Sequence, residues 1–398
     1  MSISPLQLGA LCLLPFLAQS GAPAGHVQIQ PLFEVPGESS FDNFGFSISP
    51  ISDIDGDGVR DILVGAPNRK PGYSLMGHAY VVSGATGAIL RKHDGINPSD
   101  RFGHAAALLP DLNGDNVPEY AVGAIWAVDL DHGQQADMPG MLTVYDGATG
   151  ALLKHHAGFG KYECHGAAIA PLADMNGDGI PDFAVSARFG GAIDGNPKTA
   201  PGYVRILSGA DYSVLHEVHG KNPGDFLGET MIAIPDIDGD GKPDLAVGAY
   251  SYPALAKRGQ VLLISSATGA VLREIDGDKI GDWFGWAIAV VPDVDGDGVR
   301  DLAIGAPKAH EHTGLVAIVS SMTGARLATI VGKHPMAQSG HSLASVGDVD
   351  GDSLSDLVVG SPIYRNESGR VDVVSIPSGV VLGSMDGASE EITSARRS

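Results

Sequence analysis

Asp53, Asp55, Asp57 and Asp61 stand within nine residues, in the stretch DIDGDGVRD. Four carboxylates so close repel one another unless a cation or backbone N–H groups offset the charge. The same ladder returns five times. The second copy offers Asp111, Asn113, Asp115, Val117 and Glu119, and the third Asp174, Asn176, Asp178, Ile180 and Asp182. The fourth offers Asp236, Asp238, Asp240, Lys242 and Asp244; the fifth Asp293, Asp295, Asp297, Val299 and Asp301; the sixth Asp348, Asp350, Asp352, Leu354 and Asp356. In the first copy Val59 fills the place between Asp57 and Asp61.

Positions 1, 3 and 5 of each ladder supply side-chain oxygens, position 7 its main-chain carbonyl, and position 9 a carboxylate able to bind through both oxygens. That set suits a hard cation taking roughly six to eight oxygen ligands, which is Ca²⁺ before Mg²⁺. The competing chemistry is an acidic turn in which Asp caps backbone amides. One copy would fit either; six copies of one ladder favour up to six Ca²⁺ sites. Position 6 is Gly in four loops, Asn116 in the second and Ser353 in the sixth. Ser accepts positive φ less readily than Asn or Gly, so loop six is expected to be the weakest site. The closing acid stands at position 9 and a strand follows at once, so these are not helix-flanked EF-hands.

The loops start 55 to 63 residues apart. Each repeat runs from an aromatic-Gly start such as Phe44-Gly45, Phe102-Gly103 or Phe284-Gly285, through an apolar stretch, into the acidic loop. A short strand then ends in a small-residue corner: Gly65-Ala66-Pro67, Gly123, Ser186, Gly248, Gly305 or Gly360. A third strand, a link of the Ser-Gly-Ala-Thr-Gly kind and a fourth strand complete it. The link ends in Gly at 87, 150 and 269, as a tight hairpin with positive φ requires. Four short antiparallel strands, repeated six times without helical spacing, predict an all-β β-propeller of six four-stranded blades. Seven blades is the alternative, and it lacks roughly 40 residues. Val27–Val35 reads as an extra strand that pairs at the edge of the last blade.

The formal charge of −22 speaks against nucleic acid or an anionic membrane as partner. Of the 47 acidic residues, 22 lie in the six ladders, so the acidity is that of metal sites. Residues 1–24 read as a secretory signal, with an apolar run from Leu6 to Ala18 before small-residue cleavage candidates at Ser20 and Ala24. Residues 25–388 are then the propeller and 389–398 a short tail. An exported location follows, secreted, periplasmic or at the cell surface, with no integral span after the signal. Cys12 leaves with the signal, so Cys164 has no partner for a disulfide.

The order of FG, DxDGDGxxD and GAP, from about Phe41 to Gly387, resembles the FG-GAP repeat of the integrin α-chain N-terminal β-propeller and its bacterial relatives. Repeat three departs, with Cys164-His165-Gly166 at its start and Ser186-Ala187-Arg188 at its corner, and repeat six starts Ser339-Gly340. The resemblance implies Ca²⁺ loops on one rim and, on the opposite rim, contacts to a protein or glycan ligand. It implies adhesion or recognition without catalysis. The strand 2–3 connections are longest in repeats two and three, Ile125–Gly140 and Arg188–Gly202. Long loops on a rigid scaffold make Trp126, Asp129, Asp131, His132, Arg188 and Phe189 the candidate ligand contacts.

Two other classes stay open. A secreted propeller enzyme, quinoprotein-like or hydrolase-like, would need its own machinery. His155-His156, His216/His219 and His310/His312 lack the i, i+4 spacing of a zinc hydrolase and read as hairpin residues. His104 and His341 follow the FG position, as Glu229 does in repeat four, and read as inner-strand packing. A quinoprotein would carry Trp in nearly every blade; this chain has only Trp126, Trp283 and Trp286. The third class is a structural cell-surface assembly protein, which would self-associate in Ca²⁺.

Overall fold

The computed structural model describes residues 10–12, 16–17, 28–29, 31–39, 42–67, 76–127, 138–191, 199–250 and 258–387. Of the expected signal, only Ala10–Cys12 and Phe16–Leu17 fall within this set, as short strands, and the tail at 389–398 lies outside it.

Six four-stranded antiparallel sheets, each built from four consecutive strands, are the six blades of a β-propeller. Blade one holds Ser47–Pro50, Ile62–Ala66, His78–Val82 and Ile89–Asp94, and blade two Phe102–Leu108, Tyr120–Ala124, Met141–Tyr145 and Leu152–Ala157. Blade three holds His165–Pro171, Phe183–Ala187, Tyr203–Leu207 and Val214–His219, and blade four Leu227–Ile234, Asp244–Ala249, Arg258–Ile264 and Val271–Ile280. Blade five holds Ala287–Val290, Leu302–Ala306, Leu315–Val319 and Arg326–Val331, and blade six Ser342–Ser345, Leu357–Ser361, Arg370–Val374 and Val381–Asp386. The chain forms two compact units, one taking in Pro31–Ile288 and the other Leu14–Gln30 with Ala289–Ser398.

The second strands are short unbroken apolar runs because both their faces are buried. Blade two shows how. Tyr120, Val122 and Met141 pack into one core with Leu63 and Val81 of blade one. Ala121, Leu142 and Val144, on the other face, pack with Ile169 and Val185 of blade three. Ala289, Ile318, Leu357 and Val374 form the equivalent core of blades five and six. The fourth strands alternate between exposed and half-buried residues, as outer strands should.

The paired glycines of the repeat lock neighbouring blades. A Cβ on corner Gly123 would lie 2.0 Å from the carbonyl oxygen of Gly166, and one on Gly248 the same distance from that of Gly285. Only a bare Cα lets the next blade's FG carbonyl approach so closely. In blade three Ser186 holds this corner, and its hydroxyl donates to the Gly228 carbonyl at 2.6 Å.

An acid two residues before the FG glycine pair's first member adds a second fastening. Asp42, Asp100, Glu163 and Asp225 are all buried. Asp100 accepts the N–H groups of Ile96, Asn97 and Phe102 at 2.9 to 3.1 Å and so closes the strand 4–1 connection. The residue just before the FG position has positive φ in every repeat: Asn43, Arg101, Cys164, Phe226, Trp283 and Gln338. Cys164 thus occupies a strained turn position and is buried.

Val27–Val35 is not one strand. Pro31, which has no N–H to donate, separates two pieces. Gln28–Ile29 runs beside Val381–Asp386 without joining its sheet. Val35 packs with Phe44, Val64 and Tyr80 of blade one.

The seam of blades two and three holds a polar pair. His156 Nδ1 lies 3.0 Å from His165 Nε2, so His156 is more than a hairpin residue. Burial lowers the pKa of His156 to about 4 and holds that of wholly buried His165 well below its usual value, with Arg205 adding to both. His93, stacked on Tyr145 and bonded to the Tyr120 hydroxyl, is lowered to about 4 by burial and by Arg91. A histidine kept neutral when folded stabilises fully above pH ~6.5 and loses that contribution as pH falls towards its folded pKa. For His156 this amounts to about 3 kcal/mol. The urea midpoint of the His156→Gln/His165→Gln variant is therefore expected to fall less than the parent's between about pH 7 and 5. Parallel profiles would show that folding does not lower the pair's pKa values.

Candidate metal centres

Each acidic loop joins strands one and two of its blade, so it lies at the end opposite the strand 2–3 connection. The first loop shows the shared build. Asp53 accepts the N–H groups of Gly56 and Gly58 at 2.7 and 2.9 Å, and Asp57 accepts that of Val59 at 2.8 Å. Position 6 has positive φ in all six loops, at Gly58, Asn116, Gly179, Gly241, Gly298 and Ser353, as the turn demands. Position 4, which the sequence reading passed over, is Gly with positive φ in all six as well.

The closing acids Asp61, Glu119, Asp182, Asp244, Asp301 and Asp356 are fully buried. Each accepts the N–H of position 2: Ile54, Leu112, Met175, Ile237, Val294 and Val349, at 2.6 to 2.9 Å. In blades one and three the other oxygen accepts an N–H from the strand 3–4 hairpin, Gly84 for Asp61 and Gly209 for Asp182. Position 9 therefore ties loop to hairpin whatever else it binds.

Carboxylate oxygens converge within 4.8 Å of one another in five loops. The groups are Asp53, Asp55 and Asp57; Asp111, Asp115 and Glu119; Asp236, Asp238 and Asp244; Asp293, Asp295 and Asp297; and Asp348, Asp350 and Asp356. Two buried oxygens, Glu119 Oε1 and Asp356 Oδ1, have no hydrogen-bond partner among the described residues. A buried carboxylate oxygen left so is costly, and a cation would satisfy it. Burial pushes Glu119 up to about 7 and Asp244 and Asp356 up to about 6, with the other loop carboxylates adding repulsion. Burial also raises Asp301. At position 1 the balance reverses: N–H groups of Gly179, Gly241 and Gly298 hold Asp174, Asp236 and Asp293 below the usual range. The loops thus keep charge at the mouth and carry an electrostatic penalty at the base, which a dication would remove. The residues fit a calcium ion.

At the other end, Trp126 is 38% exposed, and the Arg101 guanidinium stacks 3.4 Å from its ring centre. Arg188 is buried and paired with Glu229 at 2.5 Å, while Phe189 packs edge-on against Phe226. Asp129, Asp131 and His132 lie outside the described residues. His104 is buried beside the Phe46 ring, as inner-strand packing predicts.

The FG-GAP repeat model matches residues 44–87, 165–207, 230–264, 284–319 and 339–374. Blade two, with its Asn116 and Glu119, is unmatched. Among curated proteins, integrin alpha-5 of Xenopus laevis is 28% identical over 244 residues, covering 58% of this chain and 22% of that protein. Integrin alpha-V of Gallus gallus is 26% identical over 227 residues, 54% of this chain and 21% of its own length. Integrin alpha-PS2 of Drosophila melanogaster is 33% identical over 187 residues, 44% of this chain and 13% of its own. The chain thus spans about a fifth or less of these relatives. The crystal structure of BBS1N in complex with ARL6DN, soaked with lead, superposes with a TM-score of 0.52 at 9% identity, over 85% of this chain and 81% of the other. That likeness concerns the fold alone. No helix among the described residues is long and apolar enough to cross a membrane. With five matched repeats and the glycine pairs that define them seated between blades, the chain is an FG-GAP repeat protein with an integrin-α-like β-propeller.

Proposed function

We propose that the chain is an exported, calcium-binding propeller that acts as a non-catalytic adhesion or recognition module. Residues 1–24 serve as its signal, 25–388 as the propeller and 389–398 as a tail. Calcium sits in the strand 1–2 loops, held by the side chains at positions 1, 3, 5 and 9 and the carbonyl at 7. The ligand, a protein or glycan, meets the opposite end, where Trp126 stands exposed. The observation that carries this reading is the convergence of loop carboxylates, together with Glu119 Oε1 and Asp356 Oδ1, which are buried without partners among the described residues. Oxygen-only donors on a flexible loop suit Ca²⁺ better than Mg²⁺, which demands tighter octahedral geometry.

The test combines metal counting with binding. The mature chain, dialysed against calcium or chelator, is passed over immobilised matrix proteins and glycans while its bound calcium is counted. Several calcium ions per chain, and a partner retained in both parent and chelated-then-reloaded protein but lost on Trp126→Ala, support the proposal. Absence of bound calcium sinks the metal reading, and turnover of a glycan or ester in place of retention sinks the non-catalytic one.

A further inference from the structure

A neighbouring blade inserts a positive charge into loop three. Position 7 is Val59, Val117, Ile180, Val299 or Leu354 in five loops and Lys242 in the fourth. The half-buried Lys242 reaches back to blade three, where its ammonium donates to the main-chain carbonyl of Asp174, the first residue of loop three. Blade four also touches this loop at Met175, whose sulfur accepts the Ser266 hydroxyl at 3.2 Å.

Loops two and three are the poorest in charge, with three acids each where the other loops have four. The third position of loop three is Asn176, whose amide donates to Asp178 Oδ2 at 2.8 Å, tying up one oxygen that a cation would take. Both oxygens of Asp182 accept backbone N–H groups, from Met175 at 2.7 Å and Gly209 at 2.8 Å, as do those of Asp61, Asp244 and Asp301 in their loops. Loop two carries an Asn at the same place but compensates. Asn113 turns its amide away to Asp146, and the longer Glu119 brings its carboxylate among Asp111 and Asp115. Loop three has no such longer acid. Loop six, despite Ser353, gathers Asp348, Asp350 and Asp356.

We propose that the Lys242 ammonium is a built-in counter-ion for loop three, and that it makes this loop, ahead of loop six, the weakest calcium site of the chain. The proposal rests on the reading of the acidic loops as calcium sites. A dication entering loop three must displace the lysine or bind against its charge, so this loop fills last. It fills only when calcium exceeds what the other loops require.

Calcium titration by equilibrium dialysis, with calcium alone as probe, tests this on the full chain. Lys242→Met keeps the aliphatic stem and the main-chain carbonyl that loop four uses, and removes the charge; it is expected to tighten the weakest step roughly tenfold. Lys242→Arg keeps the charge and should retain the weak step. Asp178→Asn should delete the weak step and spare the tighter ones. In chelator Lys242→Met should melt below the parent, and in saturating calcium at or above it. A Lys242→Met titration that superimposes on the parent's, or an Asp178→Asn variant that loses a tight step, overturns the proposal. A parent that binds no calcium overturns instead the reading on which it rests.

Discussion

Stripped of calcium, the chain is expected to melt roughly 10 °C below its loaded form. The estimate follows from the loops themselves. An extracellular site with a Kd of about 10⁻⁴–10⁻³ M adds about 1 kcal/mol when free calcium is several times that value. Six loops of this kind together approach the net stability of a typical domain, about 5–15 kcal/mol. Their effect on the melting point is softened because a large domain shifts by only a few degrees per kcal/mol. The metal-free chain is not expected to lose its blades. Asp61 and Asp182 still tie their loops to the hairpins through Ile54, Gly84, Met175 and Gly209. What it loses is the offset to carboxylates crowded at the mouth and to the partnerless oxygens of Glu119 and Asp356. A differential scan in chelator and in millimolar calcium, with magnesium as control, measures the difference. Coincident melts would mean that the amide-capped turns suffice alone.

The parts of the molecule legible in the sequence are those that repeat within one blade. The ladder at positions 1, 3, 5, 7 and 9, the turn at position 6 and the hairpin glycines Gly87, Gly150 and Gly269 each sit within a few residues and recur. Side-chain contacts between blades leave no such trace. Lys242 meets Asp174 and His156 meets His165 because neighbouring sheets face each other, and neither pair recurs at a fixed spacing. One missed signal was present all along. The acid two places ahead of FG recurs as Asp42, Asp100, Glu163, Asp225 and Asp282, and in repeat four the F slot is Leu227, one residue after Phe226. The end bearing the strand 2–3 connections is the least legible, because these long connections vary where no repeat constrains them. Arg188, one of its six candidate contacts, is paired with Glu229.

Gly248→Ala is expected to destabilise the chain more than most single substitutions, by about 3 kcal/mol. Gly248 does not need glycine for its φ; it needs the space. An added methyl would stand 2.0 Å from the Gly285 carbonyl oxygen and 2.6 Å from Thr230 Cγ2. The first neighbour is backbone and cannot swing away, so the seam between Leu227–Ile234 and the FG turn before Ala287 must open. Opening it uncovers packed apolar surface and strains the turn at Gly285, which is itself at φ 86°. Ser186 is the natural control. At the same corner of blade three the chain tolerates a Cβ because the hydroxyl accepts the Ala168 N–H at 2.9 Å and donates to the Gly228 carbonyl. Ser186→Gly should therefore cost only about 1 kcal/mol, the worth of the lost hydrogen bonds. Urea unfolding in saturating calcium measures both variants against the parent. If Gly248→Ala costs no more than Ser186→Gly, the corner glycines are not what holds neighbouring blades at this distance.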